Sequence, residues 1–507
     1  MSEQDPAAAD KPTRPPVHGA GIVVGGQPAA LDLRRLIWLV LGVSLFGIVA
    51  WLPTLPDAVD PAGRHITLGR EGQLALGLFL LAATWWIFEV IPIGATAIAI
   101  GVVQALFLIR EPRVAYTDFM DPAVWFIIGS VVIGLVFTKT GLTNRMAYRM
   151  LTLVGDRTSR IYLGAFVMTG GMTLVMAQTA VAAAVYPLLM TIYSLYEEDA
   201  HPTRFGKGLF IGMAFTAGAG SIITLLGAAR GAVAVGFYQQ LVGREVDFFE
   251  ITFYLLPIGG LMVVLLWLYV LLMYRPERDV IPGLSVRARK LHQRLGPMSR
   301  QEIIGLTITL IAVLLMSLRS FVPLLAPVDK SAIIAGATVM FFVFRILRRS
   351  DLDALPWNII LLFGGAMSLG LCLWQTGAAE WLAISWLSYF GTSKALAFVL
   401  GLSVFVLVMT NMIMNVAAIA ISLPVALVMA PYLGVAPDVV LYVSLTAAGM
   451  PFLLLIGAVP NAIAHQSRQF SASEFFMAGV PASLLLLLVI TVFVLWIWDW
   501  MGMPIFL

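Results

Sequence analysis

Two related stretches decide the fold: MAQTAVAAAVYP at residues 176–187 and IMNVAAIAISLP at residues 413–424. Each has an amide side chain near its start, Gln178 or Asn415, and ends on a proline. The two prolines, Pro187 and Pro424, are 237 positions apart in the sequence. Glycines outside the two stretches match in the same order: Gly129 with Gly364, Gly141 with Gly377, and Gly227 with Gly457. Ordered matches of this kind predict that the chain is built from two related halves.

The composition places both halves in a membrane. Of 507 residues, 60% are hydrophobic and only 12% are charged, whereas soluble domains average about 45–50% apolar and about 25% charged residues. One cysteine excludes an intramolecular disulfide, and five histidines without paired spacing do not favour a zinc site. The net charge of +3 is spread over membrane edges, so nucleic acid is not a predicted partner. The sequence predicts an all-α polytopic protein in contact with membrane lipid and without an organic cofactor.

The hydropathy pattern divides the chain into segments. Residues 1–35 are predicted to be a disordered cytoplasmic tail, residues 275–302 a cytoplasmic linker, and residues 36–274 and 303–507 the two membrane halves. About eleven transmembrane helices are predicted, at 36–52, 72–90, 93–109, 122–139, 208–241, 251–274, 303–322, 329–345, 355–372, 438–465 and 478–500. Two further apolar segments, 161–196 and 395–432, have polar residues midway and are predicted to be re-entrant hairpins.

The positions of lysine and arginine predict the orientation. With the N-terminus in the cytoplasm and the C-terminus outside, the inner loops receive most of the 31 basic residues. The two halves then have opposite orientations, so the repeat is inverted. The topology leaves one basic residue unexplained, Arg230 in TLLGAARGAVAVGF, because it is far from both ends of its span.

Glycine and proline also interrupt the spans 208–241 and 438–465, at GAGSIITLLGAARG (218–231) and GMPFLLLIGAVPN (449–461). Secondary transporters often combine inverted repeats with broken helices that hold substrate near the middle of the bilayer. Close helix packing is the alternative explanation of the glycines. Their recurrence at matching positions favours the broken helices.

The stretch WWIFEVIPIGATAI at residues 85–98 resembles a motif of the divalent anion/sodium symporter family, and the hairpins and broken helices resemble that family over residues 70–500. The family carries dicarboxylates, tricarboxylates and sulfate. The resemblance implies a homodimer in the cell (inner) membrane, in which a transport domain moves like an elevator against a static scaffold.

The resemblance also implies which residues form the site. The family's Ser-Asn-Thr tips become Ala177-Gln178-Thr179 and Met414-Asn415-Val416, and its Thr-Pro-Pro-Asn loops become residues 228–231 and 458–461. The residues implied for substrate are Gln178, Thr179, Arg230, Asn415, Pro460 and Asn461. Those implied for a cation, sodium in this family, are Thr179, Gly227, Thr410, Asn415 and Gly457.

Arg230 stands in the first loop, where the family motif has no charge. We hypothesise that its guanidinium supplies in fixed form the positive charge that sodium supplies elsewhere. The alternatives are an ion pair with Glu89 and an extended side chain that reaches the outer surface. A fixed charge favours anion exchange, proton-linked transport or altered sodium coupling over simple sodium-driven import.

Other classes of function fit less well. An ion channel would place rings of charged residues along a pore. An intramembrane enzyme would carry a catalytic pair or triad inside its spans, and the sequence shows neither. A small-anion transporter is therefore the main prediction, and the alternative is a degenerate relative that acts as a sensor or assembly partner because most tip hydroxyls are lost.

Overall fold

The computed structural model describes residues 33–59, 64–197, 201–390 and 395–506. It is 76% helical, and the strands of the described part are a short antiparallel pair, β1 (Ala58–Val59) with β2 (His65–Ile66). Eight helices of the described part are long and apolar enough to cross a membrane. The predicted all-α polytopic class is confirmed. The predicted number of about eleven spans stays a prediction.

The first half and the linker contain twelve helices among the described residues: α1 (Leu33–Trp51), α2 (Arg70–Ile87), α3 (Ile93–Leu106), α4 (Pro112–Thr117), α5 (Pro122–Thr140), α6 (Leu142–Val154), α7 (Thr158–Met172), α8 (Gln178–Tyr196), α9 (Arg204–Ser221), α10 (Ala229–Val242), α11 (Phe248–Met273) and α12 (Leu284–Arg294). Most of the predicted tail, residues 1–32, lies outside the described residues. Residues 33–35 form the first turn of α1 instead of the end of that tail.

The second half contains eleven helices among the described residues: α13 (Arg300–Leu318), α14 (Lys330–Val343), α15 (Arg349–Asp353), α16 (Trp357–Gln375), α17 (Ala378–Phe390), α18 (Ala395–Met412), α19 (Asn415–Tyr432), α20 (Pro437–Gly449), α21 (Val459–His465), α22 (Ala472–Val492) and α23 (Trp498–Trp500). A single π-helical segment, Phe493–Ile497, joins the last two. Short 3₁₀ segments lie at Asp118–Met120 and Leu455–Gly457.

Two matched glycines turn the chain at equivalent places in the halves. Gly141 follows α5 and Gly377 follows α16, with φ of +87° and +75°. Glycine adopts this left-handed region at little cost, so it ends a long helix and lets a new helix start in another direction. The new helices are α6 and α17, which the hydropathy pattern did not predict.

Each apolar segment expected to be a hairpin consists of two helices joined by a short tip. Residues 161–196 correspond to α7 and α8, and residues 395–432 to α18 and α19. The first pair packs against α9 and the second against α20. Pro187 and Pro424 lie inside α8 and α19.

The two glycine-rich spans are interrupted where the sequence indicated. Residues 222–228 separate α9 from α10, and residues 450–458 separate α20 from α21. We call these segments the first break and the second break. The helix α21 packs against α8 and α9, and α10 packs against α19, α5 and α16. The broken helices of both halves therefore meet in the interior of the molecule.

Ion pairs and hydrogen bonds fasten the linker to the first half. Arg145 of α6 lies 2.9 Å from the Glu302 carboxylate, which also caps the start of α13 with Ser299. Near the other end of the linker, Glu277 accepts hydrogen bonds from the Tyr196 hydroxyl and from the backbone N–H of Phe205. The linker is thus an ordered part of the fold.

Candidate functional site

The first tip, residues 173–177 between α7 and α8, is joined to the first break by backbone and side-chain hydrogen bonds. Gln178 begins α8, and its backbone N–H donates to the carbonyl of Gly227 at 2.9 Å. The hydroxyl of Thr224 donates to the carbonyl of Leu174 at 2.8 Å. These two bonds fix the start of α8 beside the gap between α9 and α10.

Gly227 occupies a place that admits no side chain. A Cβ atom there would lie 2.5 Å from the carbonyl oxygen of Ser221 and 2.8 Å from that of Thr173. Two backbone oxygens therefore converge on this glycine, from the end of α9 and from the first tip. Hard cations bind such oxygens, and Gly227 is one of the cation positions that the resemblance implies.

Arg230 lies in the first turn of α10 with 1% of its surface exposed. Its Nη2 donates to the hydroxyl of Ser221 at 2.8 Å, and that hydroxyl lies 3.1 Å from Oε1 of Gln178. Its Nη1 is buried without a hydrogen-bond partner among the described residues. Within the same residues no carboxylate forms an ion pair with Arg230, so the site carries an uncompensated positive charge.

Neither alternative position of Arg230 is observed. Burial of the side chain excludes an extension to the outer surface. Glu89 is exposed and forms no ion pair with Arg230 in the part of the chain that the structure describes.

The end of α20 closes over Arg230 from the other half. A Cβ atom on Gly449 would lie 2.8 Å from Nη2 of Arg230 and 2.2 Å from Cγ2 of Ile222. A Cβ atom on Gly218 would lie 2.9 Å from the Gly449 carbonyl oxygen. The end of α9 and the end of α20 thus touch at positions where only glycine leaves enough room, and the guanidinium lies between them.

The second tip, residues 413–414, is held in a similar way. The Thr410 hydroxyl donates to the carbonyl of Ala448 at 3.0 Å, and a Cβ atom on Gly457 would lie 3.0 Å from the Thr410 carbonyl oxygen. Asn415 begins α19 and is 7% exposed. Its side-chain amide has no hydrogen-bond partner among the described residues and is available to a ligand.

Two asparagines shape the second break. The Asn461 amide donates to the carbonyls of Pro451 and Leu454 at 2.8 and 3.0 Å. Asn411 accepts hydrogen bonds from the backbone N–H groups of Leu453 and Leu454. Pro460 lies in the first turn of α21, where its fixed φ suits a helix start. Asn461 and Pro460 therefore support the loop, and the side-chain oxygen of Asn461 is the part left for a ligand.

A cavity of about 430 Å³ lies beside the second tip. Part of its lining comes from the second hairpin, with Met412, Ile413, Met414 and Ala417. The rest includes the start of α1 and the end of α2, with Arg35, Trp38, Trp86 and Glu89. Arg35 and Glu89 belong to the side that the charge pattern predicts to be cytoplasmic. The cavity thus connects the second tip with that side.

The structure brings Gln178, Gly227 and Arg230 together through Ser221. Thr179 is half-buried and has no hydrogen-bond partner among the described residues. Sequence reasoning missed Ser221 and the structural role of Asn411. The signal for Ser221 was weak, since it is one of only two polar residues, with Thr224, in the run GAGSIITLLG.

The described residues contain no group of three or more His, Cys, Asp or Glu side chains that could hold a metal ion. The carbonyl oxygens of Ser221 and Thr173 near Gly227 and that of Thr410 near Gly457, with nearby amide and hydroxyl side chains, are the donors that remain. They fit a monovalent hard cation better than a transition metal.

Comparisons with known proteins agree over most of the chain. The family model of the sodium:sulfate symporter transmembrane region matches residues 34–504. The sodium-dependent dicarboxylate transporter SdcS of Staphylococcus saprophyticus is 26% identical over 477 residues, covering 90% of this chain and 89% of the relative. SdcS of Staphylococcus aureus (strain bovine RF122) is 27% identical over 474 residues, covering 89% of each chain.

Solved structures share the fold. The YdaH transporter of Alcanivorax borkumensis aligns with 94% of this chain and 100% of its own at a TM-score of 0.55 and 16% identity. MtrF of Neisseria gonorrhoeae aligns with 90% of this chain and 92% of its own at a TM-score of 0.54 and 13% identity. These comparisons do not favour the alternative of a non-transporting relative.

Proposed function

Because the chain belongs to the sodium:sulfate symporter family, a family of transporters and not of enzymes, we propose that it carries a small dianion across the cell (inner) membrane. The substrate class is a dicarboxylate, sulfate or a similar anion, which agrees with the sodium-dependent dicarboxylate transporters among its relatives. The resemblance found in the sequence is thereby confirmed at the level of the family.

The observation that carries this proposal is the charge state around Arg230. Burying an arginine without a carboxylate partner is costly, and charged residues inside membrane segments usually face a cavity or a ligand. The unpartnered Nη1 leaves a donor for that ligand. An arginine fork can bind a carboxylate or sulfate through two parallel hydrogen bonds.

The remaining substrate contacts come from both tips. Gln178 approaches Arg230 through Ser221, and Asn415 offers a free amide at the start of α19. Thr179, Pro460 and Asn461 complete the proposed set. Amide groups add polar contacts without further charge. The single fixed charge therefore selects for anions in general, and the amide side chains discriminate between anions of different shape.

Sodium is the proposed co-substrate at reduced stoichiometry. Two carbonyl oxygens converge at Gly227 and the Thr410 carbonyl lies near Gly457, with Thr179, Thr410 and Asn415 side chains as further donors. Arg230 already supplies a positive charge at the first break, which disfavours a cation beside Gly227. We propose that the second break keeps its cation, and that exchange of one anion for another is the main mode.

An elevator movement is the proposed mechanism. The two hairpins and the two broken helices would move together as one domain against the helices α1–α5, α13, α14 and α16. The cavity beside the second tip then represents access from the predicted cytoplasmic side. A homodimer would hold the static helices in place, with the N-terminus in the cytoplasm and the C-terminus outside.

Transport by purified protein in proteoliposomes tests the proposal. Uptake of labelled succinate, citrate and sulfate is measured with and without a sodium gradient, and with or without the same anion preloaded inside. We expect preloading to accelerate uptake more than the sodium gradient does. Uptake that is strictly proportional to the sodium gradient would contradict the exchange mode.

The variant Arg230→Gln tests the fixed charge in the same assay. We expect it to lose uptake, whereas Arg287→Gln, which removes an exposed charge from α12, should keep it. Unchanged uptake of all candidate anions by Arg230→Gln would remove Arg230 from the site.

A further inference from the structure

A groove of about 730 Å³ lies between α6 and α7, away from the tips and breaks. Its α6 wall consists of Met146, Arg149, Met150 and Leu153. This spacing of three and four residues places them on one face of the helix. Leu153 is 79% exposed, so the groove is open to the surroundings of the protein.

The α7 wall follows the same helical spacing from Arg160 through Gly164 and Val167 to Gly171. At about 1.5 Å per residue this face is roughly 16 Å long. Half of a bilayer's hydrocarbon core is about 15 Å thick. The groove therefore matches the length of one acyl chain between the cytoplasmic headgroups and the middle of the membrane.

Two glycines of α7 shape the groove. A Cβ atom on Gly164 would lie 2.2 Å from Cγ2 of Val154 and 2.8 Å from Sδ of Met150, so its absence lets α6 lie directly on α7. Gly171, two turns further along, has no neighbour within 4 Å of its Cβ position. The groove thus narrows at Gly164 and is open at Gly171.

The two arginines of the groove have uncompensated charge. Arg145, one turn before Arg149, forms an ion pair with Glu302 at 2.9 Å. Arg149 and Arg160 have no such carboxylate partner among the described residues, and both are exposed. Their charge is therefore available to an anion at the end of an apolar groove, on the side that the positive-inside pattern assigns to the cytoplasm.

We propose that this groove binds an anionic glycerophospholipid of the cytoplasmic leaflet. Arg149 and Arg160 bind the phosphodiester, and one acyl chain lies along the methionines and Val167 towards Gly171. Basic pockets between helices on the cytoplasmic side are suited to such headgroups. A zwitterionic lipid carries an ammonium group beside its phosphate, so its attraction to the two arginines is weaker.

This proposal places a lipid ligand where α6 meets α7, the first helix of the first hairpin. It is independent of the proposed function, because lipid binding is measured without transport. A groove that contacts bulk acyl chains alone would show no preference for the headgroup, and the experiment separates the two cases.

Native mass spectrometry of delipidated protein in detergent measures the binding of phosphatidylglycerol, cardiolipin and phosphatidylethanolamine. We expect the two anionic lipids to bind at least tenfold more tightly than phosphatidylethanolamine. In the double variant Arg149→Gln/Arg160→Gln their affinity should fall about thirtyfold, because each arginine near the surface contributes a factor of about five. The control Arg287→Gln/Arg289→Gln removes two exposed charges from α12 and should bind as the unmodified protein does.

Gly171→Leu tests the position of the acyl chain with both arginines intact. The leucine side chain enters open space, so the fold should keep its melting temperature, while anionic lipid should bind at least fivefold more weakly. Equal binding of anionic and zwitterionic lipid would overturn the proposal. It would also be overturned by equal losses in the arginine variant and its control, or by unchanged lipid binding in Gly171→Leu.

Discussion

Replacing Arg230 with methionine should make the ligand-free protein more stable and at the same time abolish anion binding. The two effects have opposite signs because the buried guanidinium lowers the stability of the free protein, whereas its charge stabilises the complex with an anion. Methionine is flexible and apolar, so it can follow the path of the arginine stem. The hydroxyl of Ser221 keeps a partner after the change, since it also lies 2.7 Å from the carbonyl of Gly218.

The size of the gain follows from the contacts of Arg230. The variant loses one charge-assisted hydrogen bond, which contributes about 1.5–3 kcal/mol. It removes an unpartnered buried donor that costs about 1–3 kcal/mol, and also a charge whose burial costs several kcal/mol. The net free energy of unfolding should rise by about 1–4 kcal/mol, as in other replacements of buried ionic groups by apolar ones. In a chain of this length that is a rise of a few degrees in melting temperature.

The loss of affinity should be larger. Two parallel hydrogen bonds from a guanidinium to a carboxylate together contribute at least 3 kcal/mol. At about 1.4 kcal/mol for each factor of ten, the variant should bind dianions at least a hundredfold more weakly. The stabilisation that a saturating anion gives the unmodified protein should then disappear.

Arg110 provides a matched control with the opposite expectation. Its Nη1 lies 2.7 Å from Oδ2 of Asp118, and the side chains are 5% and 11% exposed. Arg110→Met strands a buried carboxylate, which should lower the free energy of unfolding by about 3–5 kcal/mol. Two buried arginines of one protein should thus respond to the same substitution with opposite signs.

Thermal unfolding of the purified proteins in detergent, with and without succinate, citrate and sulfate, measures both effects. A lower melting temperature for Arg230→Met, similar to that of Arg110→Met, would mean that Arg230 has a structural role. Ligand-induced stabilisation that survives in Arg230→Met would place the anion elsewhere. Either result would refute the reasoning.

Two further predictions concern the end of α20 and the linker. Gly449→Ala should weaken anion binding at least tenfold in the same thermal assay, because its Cβ would displace Ile222 or Arg230; Gly401→Ala, which has open space in α18, should bind normally. Burial raises the pKa of Glu277, but its hydrogen bonds with backbone N–H groups and a tyrosine hydroxyl outweigh this and hold the pKa below the ordinary range. The folded state therefore gains stability from this carboxylate at neutral pH and loses it as the pH falls below about 4. Melting curves should show Glu277→Gln to be less stable than the unmodified protein at pH 7 and nearly equal to it at pH 3; an equal difference at both pH values would contradict the assignment.

The sequence predicted the fold class and the position of both breaks, because these depend on local chemistry. Glycines, joined by a proline in the second span, weaken a helix locally, and hydropathy identifies the spans. The helices α6 and α17 were missed because they are short and each follows a glycine turn. In addition, α6 has a charged face. Hydropathy averages over such a helix and assigns it to a loop.

The site was predictable in part. Gln178, Gly227 and Arg230 were named from the repeat and the resemblance, and the structure places them within one hydrogen-bonded group. Ser221, which joins Gln178 to Arg230, could not be predicted because its importance arises from a contact between segments 43 positions apart. Contacts between distant segments depend on how the helices pack, which no local pattern contains.

The two breaks differ in charge although the repeat makes them equivalent, and this difference bears on the number of coupled cations. In the second break the neutral amide of Asn461 holds the loop by donating to two carbonyls. In the first half Gly231 stands at the place that corresponds to Asn461, and Arg230, which corresponds to Pro460, adds a full charge beside the first break. On the proposed function a dianion held between the two halves meets one fixed charge from the first half, and the second charge comes from a mobile cation beside Gly457 and the Thr410 carbonyl. One repeat would then set the affinity for anions in general, and the other would link that affinity to the cation concentration.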